Sequence, residues 1–204
     1  MGKAEQTRAK IISTAALLFN QRGYNGTSID DIMQATGLKK GGIYNHFSNK
    51  EEIALAAFDH AYALQSESYG EVLRAARGQP ARQLHAIIDV FIEVYEDPVI
   101  AGGCIIMNTA IESDDSEAQA ALKARAASAM DDWRSLIERI IVKGVGKGEF
   151  RSDTNIPQLT SLIIATLEGG LMMSKLYNDA TFIHSVVAHL HTHLAEHVET
   201  GVTA

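Results

Sequence analysis

The stretch Ser28–Lys50, SIDDIMQATGLKKGGIYNHFSNK, reads as two short helices joined by a tight turn, with a further helix beginning at its end. Ser28 is a good N-cap, and Asp31 three residues on supplies the acidic half of a capping box. Ile29, Ile32 and Met33 fall on one helical face. Gly37 is a stop, because a left-handed backbone costs glycine little. Lys39 and Lys40 open the next element, which turns Ile43 and Phe47 inward and leaves Gly41, Gly42, Tyr44 and Asn45 free. A helix, a short turn containing glycine and a basic second helix form the helix-turn-helix pattern of DNA readers.

Outward from this stretch the chain keeps helical spacing. Ile11, Ile12, Ala15, Ala16, Leu18 and Phe19 mark a helix from Thr7 to Gly23, which packs behind the turn and completes a three-helix head. Asn49 caps a connector helix with Glu51 and Glu52 in its first turn, and this helix fades near Ser68 to Gly70. Helices follow from Pro80 to the Asp97-Pro98 break, and from Cys104 to Ile111. A long one is capped by Asp114 or Asp115 and stopped by the glycines at 144, 146 and 148. Two more run from Pro157 to about Tyr177 and from Phe182 to His197. No segment alternates with period two. The expected fold is all-α: a three-helix head over 1–50, joined by a connector helix to a larger helical effector-binding and dimerisation body over 51–204.

The chain has 204 residues, 46% of them hydrophobic and 21% charged, as in an ordinary globular protein. No apolar run approaches the length of a bilayer span, and MGKAEQTRAK lacks the apolar core of a signal peptide. One cysteine, Cys104, excludes an internal disulfide and suits a reducing cytoplasm. The net charge of −7 is unevenly placed. Residues 1–50 carry seven basic and three acidic side chains, a balance of +4; the remainder carries 11 and 22, a balance of −11. That asymmetry suits a head that binds an anionic partner on a body that does not.

The head resembles the TetR family of bacterial transcriptional regulators. The resemblance rests on Gly23-Tyr24, Thr27-Ser28, the run Thr36 to Tyr44, then Asn45-His46-Phe47 and Lys50-Glu51, and covers about residues 7–58. Met33 stands where many relatives have alanine. The resemblance implies a cytoplasmic, ligand-responsive repressor. It would bind a palindromic operator in double-stranded DNA as a homodimer formed through the last two helices, and a small molecule in the body would release it. Thr27, Ser28, Tyr44, His46 and Lys50 would contact phosphates, Lys39 and Lys40 phosphate or guanine, and Asn45 a base edge. Gly41 and Gly42 would let the backbone approach the groove.

The expected effector pocket lies among the middle helices, with Phe91, Tyr95, Cys104, Met107, Asn108, Glu112, Trp133, Met172 and Tyr177 as candidate lining. Cys104, placed after Gly102-Gly103 at a helix start, offers the alternative of a redox or electrophile sensor, against the plainer role of a small buried apolar residue. Gly169 and Gly170 inside a helix make sense where a ligand or another helix comes close. His189, His193 and His197 share a face, but His191 points elsewhere and the histidines suit a solvated or dimer-edge face better than a metal site. Glu112, Asp114 and Asp115 fit helix capping as well as catalysis, and no histidine stands at a catalytic spacing from Cys104. No enzyme activity, cofactor, metal or membrane partner is expected.

Overall fold

The computed structural model describes residues 2–112 and 117–201. The cap expected at Asp114 or Asp115, and the grouping of those two acids with Glu112, lie outside them. The described residues form nine α-helices: α1 (Lys3–Arg22), α2 (Ile29–Thr36), α3 (Lys40–Tyr44), α4 (Lys50–Ala75), α5 (Pro80–Glu96), α6 (Ile105–Glu112), α7 (Glu117–Lys147), α8 (Ile156–Tyr177) and α9 (Thr181–His193). A π-helical turn, Leu194–Val198, follows α9, and the extended pairing among these residues is one isolated antiparallel bridge between Phe150 and Glu199. The all-α fold is as expected.

Two helices run further than their glycines suggest. α4 passes through Gly70 to Ala75, and α7 passes through Gly144 and Gly146, ending only where Gly148 takes a φ of +73°. A glycine inside a helix costs about 1 kcal/mol relative to alanine. At 144 packing requires that cost, because a Cβ there would lie 2.1 Å from the buried ring of Phe150.

The chain divides into two compact units, and the division does not fall at residue 50. The first comprises Met1–Gln65 with Val99–Ala129, the second Ser66–Pro98 with Met130–Ala204. In the first unit α1, α2 and α3 close over Ile11, Ala15, Ala16, Ile32, Ile43 and Phe47. Ile53, Ala57 and Phe58 of α4, Ile105 and Ile106 of α6 and Leu122 and Ala126 of α7 are buried in the same unit. Each fully buried isoleucine or phenylalanine contributes about 1.5–3 kcal/mol of transfer free energy.

In the second unit α8 packs against α9 and α5, burying Ile163, Leu167 and Leu171, with Ile183, Val187 and Leu190 of α9 and Leu84, Ile87 and Ile88 of α5. The two glycines of α8 have different surroundings. A Cβ on Gly170 would meet Val186 of α9 at 2.3 Å, so that glycine sets the closeness of the two helices, whereas one on Gly169 would meet nothing within 4 Å. Gly169 lies on an exposed face with Leu162, Met172, Met173 and Leu176. Against the sequence expectation, α8 is by length and composition apolar enough to cross a membrane, with a mean hydropathy of 1.3. Its other face is spent on α9 and α5.

Candidate nucleic-acid interface

α2 and α3 hold their relation through local bonds. The Ser28 hydroxyl accepts from the Asp31 amide at 3.1 Å, and the Asp31 carboxylate accepts from the Ser28 amide at 2.7 Å. The hydrogen bonds from Ser28, side chain first and then backbone, hold the Asp31 carboxyl below its ordinary range, and Arg22 at 3.5 Å adds attraction. Thr36 returns its hydroxyl to the Ile32 carbonyl, and Gly37 turns left-handed at φ +69°. Lys39 is the N-cap of α3. Burial of Ile43 and Phe47 then leaves Lys39, Lys40, Gly41, Tyr44 and Asn45 exposed, with Gly42 and His46 half-buried. The Lys40 ammonium lies 5.8 Å from the Tyr44 ring centroid. A short basic helix presenting ammonium, phenol and amide groups from one edge can donate to phosphate oxygens and to base edges in a groove. A Cβ on Gly41 would meet nothing within 4 Å, so no contact within the chain demands glycine there.

Two expected phosphate contacts are placed otherwise. Thr27 is 1% exposed, and its hydroxyl donates to the carbonyls of Gly23 at 2.9 Å and Leu18 at 3.3 Å. It closes the end of α1 and does not face solvent. The Lys50 ammonium donates to the Tyr24 carbonyl at 2.6 Å and lies 4.0 Å from the centre of the Tyr24 ring. Burial pushes its pKa down. Ser28 remains exposed at the start of α2.

Tyr24 is a junction that sequence reading treated only as part of a motif. Its hydroxyl donates to Glu51 Oε1 at 2.7 Å, and its amide donates to Glu112 Oε2 at 2.7 Å. Burial, followed by the bond to Glu51, pushes the phenol well above its ordinary range, and the same bond holds Glu51 low. A cavity of about 30 Å³ lies among α1, α4, α6 and α7, lined in part by Phe19, Tyr24, Phe58, Asn108 and Glu112. That is room for about one water molecule.

The expected effector residues fall in both units and are not gathered in either. Cys104, Met107, Asn108 and Glu112 belong to the first. Cys104 is 3% exposed, and Asn108 and Glu112 are committed to hydrogen bonds with Asn20 and Tyr24. In the second unit Phe91 and Trp133 stack at 5.4 Å, and Tyr69, absent from the sequence expectation, lies 6.3 Å from Trp133. The buried Trp133 indole N–H has no acceptor among the described residues. Tyr95 donates to the Ser174 carbonyl at 3.2 Å, while Met172 and Tyr177 are 48% and 62% exposed and line no interior.

The histidines of the last helix divide by face. Rings of His189 and His193 lie 6.4 Å apart, and those of His193 and His197 5.2 Å apart. Among the described residues no group of three or more side chains could hold a metal ion. His191 faces α5: its Nδ1 lies 2.5 Å from Nδ1 of His85, its Nε2 meets Asp89 at 2.7 Å, and His85 Nε2 meets Glu199 at 2.6 Å.

Comparison with known proteins places this geometry. Residues 11–57 match the family described as "Bacterial regulatory proteins, tetR family", and residues 80–190 match "Tetracyclin repressor-like, C-terminal domain". A TetR transcriptional regulator from Chloroflexus aurantiacus J-10-FL superposes with a TM-score of 0.92 at 41% identity, over 98% of this chain and all of its own. A TetR-family regulator from Cytophaga hutchinsonii does so with 0.87 at 32%, over 98% of each. The HTH-type transcriptional repressor DhaR of Mycobacterium sp. (strain GP1) is 24% identical over 83% of this chain and 82% of its own. The chain therefore belongs to the TetR family of bacterial helix-turn-helix transcriptional regulators.

Proposed function

We propose that this chain is a cytoplasmic repressor that binds a palindromic operator as a homodimer and leaves it when a small molecule occupies the C-terminal part. The observation that carries the reading is α3: preceded by the left-handed Gly37 and anchored by Ile43 and Phe47 so that Lys39, Lys40, Tyr44 and Asn45 face outward. The relatives are transcription regulators, one of them named a repressor, and none of those above is an enzyme.

The exposed face of α8 supports the homodimer. Leu162, Met172, Met173 and Leu176 flank Gly169, whose missing side chain lets a second helix approach. Two copies of a five-residue recognition helix read half-sites one helical turn, or a multiple of it, apart. The effector reading draws on Trp133. Leaving a buried donor unmatched costs about 1–3 kcal/mol, and a planar ligand with a hydrogen-bond acceptor would remove that cost while stacking near Phe91 and Tyr69. Sensing through Cys104 gains nothing from its burial.

Fluorescence anisotropy of labelled DNA from upstream of the protein's own gene, against scrambled DNA at two salt concentrations, tests this reading. Selective binding that weakens with salt is expected, and Lys40→Ala should reduce the logarithmic salt slope by about 2, roughly one for each copy of the helix. The doubly substituted Lys40→Ala, Tyr44→Phe chain should bind more weakly still. Equal binding to both DNAs, unchanged by the substitutions, would remove α3 as a reader.

A further inference from the structure

The turn that leads into the DNA-reading helices is held from a distant part of the sequence. Asn108 and Glu112 stand one turn apart on α6, and they grip Asn20 and Tyr24, four residues apart at the end of α1. Asn108 Nδ2 lies 2.9 Å from Asn20 Oδ1 and 2.9 Å from the Gly102 carbonyl. Asn20 Nδ2 in turn donates to the carbonyls of Ala101 at 3.2 Å and Gly103 at 3.1 Å. At the second point the Glu112 carboxylate accepts the Tyr24 amide at 2.7 Å. Its seat exists because residue 23 has no side chain: a Cβ on Gly23, where φ is +78°, would lie 2.0 Å from Glu112 Oε2. Gln119 of α7 adds a bond from Nε2 to Asn25 Oδ1 at 3.2 Å.

We infer that Glu112 is a positioning residue for DNA reading, and that with Asn108 it forms a two-point clamp by which α6 sets the Gly23–Thr27 turn and, through it, α2 and α3. The inference rests on the reading of α3 as the DNA-contacting helix. Its physical basis is the contrast between the bonds. Within the turn the backbone makes one weak bond, Thr27 amide to Tyr24 carbonyl at 3.4 Å. The bond from Glu112 is short and charge-assisted, the kind about twice as strong as a neutral one. Lys50 and Glu51 of α4 hold the Tyr24 carbonyl and hydroxyl, so Glu112 is the contact that fixes its amide, and a shift of α6 by about the width of a hydrogen bond releases that amide. With both points of the clamp closed the turn is fixed, and losing the Glu112 point lowers operator affinity. The DNA-reading unit thus extends to Glu112, well beyond residue 50.

The test uses the full chain with two readouts, operator affinity by anisotropy and the Tyr24 amide resonance in ¹⁵N-labelled protein. Glu112→Ala should weaken operator binding about tenfold, within the usual range of coupling between sites, with binding to scrambled DNA and helical circular dichroism unchanged. Its Tyr24 amide should move upfield and exchange faster. Glu112→Gln keeps an acceptor oxygen without the charge; it should recover affinity to within about threefold of wild type while the resonance still moves upfield. Wild-type operator affinity in a folded Glu112→Ala, or an unmoved Tyr24 resonance, overturns the clamp. If Glu112→Ala loses its helical signal, Glu112→Gln decides: an upfield shift supports the clamp, and an unmoved resonance overturns it. A wild-type chain without preference for the operator overturns the DNA reading instead, and the resonance still judges the clamp.

Discussion

Gly169 and Gly170 are neighbours in α8, yet alanine should move stability in opposite directions at the two positions. In an open helical site the change from glycine to alanine stabilises by about 1 kcal/mol through backbone entropy. Position 169 is such a site, with nothing within 4 Å of an added Cβ. Position 170 is not, since the added carbon would lie 2.3 Å from Val186 Cγ2 and 3.2 Å from Cγ1. Valine in a helix is held to one side-chain rotamer, so Val186 cannot swing aside and the helices must part. Overpacking of that kind costs about 1–3 kcal/mol. With the propensity gain deducted, Gly170→Ala should lose up to about 2 kcal/mol, some 1–3 kcal/mol below Gly169→Ala. Urea unfolding at low protein concentration measures both as midpoint shifts at constant slope. Equal shifts of one sign would refute the assignment of Gly170 to helix contact and Gly169 to open surface. Raising the protein concentration then examines the proposed dimer, because subunits that associate only when folded gain stability by mass action. Gly169→Ala should gain less than wild type if the glycine admits a second helix.

Two further outcomes follow from the head. Tyr24→Phe removes the hydroxyl that Glu51 accepts at 2.7 Å and should cost about 1 kcal/mol at neutral pH. Because the folded chain holds Glu51 below its ordinary value, that contribution is full above the unfolded glutamate pKa and disappears as pH falls through the lowered one. Denaturation curves of both chains should therefore converge in acid; a gap that widens there would refute the account. Thr27→Ala removes a buried hydroxyl bonded to Gly23 and Leu18, and should cost about 1–2 kcal/mol of stability while leaving the DNA affinity of the folded chain unchanged. A loss of affinity about equal on operator and scrambled DNA, in a chain that is still folded, would restore Thr27 to the DNA surface.

How far the sequence could be read depended on the range of the interaction. The capping box of Ser28 and Asp31, the left-handed Gly37 and the cap from Asn49 to the Glu52 amide at 2.8 Å each join residues at most four apart. Apolar spacing likewise placed Ile43 and Phe47 inside, because helical periodicity alone decides which face they share. The same local reasoning failed where a side chain had a choice of partners. Thr27 has the donor a phosphate contact needs, yet the carbonyl ends of α1 take it. Lys50 has the charge, yet Tyr24 holds it.

The sequence by itself determined an all-α chain, a helix-turn-helix at 28–50 with its basic outward face, and the family, because caps, turns and periodicity are properties of adjacent residues. Only the tertiary structure decided that Glu112, 88 positions after Tyr24, is the acceptor for its amide. It alone showed that Gly170 meets Val186 while Gly169 meets nothing, that Tyr69 joins Phe91 and Trp133, and that the expected effector residues fall in two units. The physical reason is that such contacts depend on which helices pack together. That choice is made by the burial of whole faces and leaves no mark on the spacing of the residues it brings into contact.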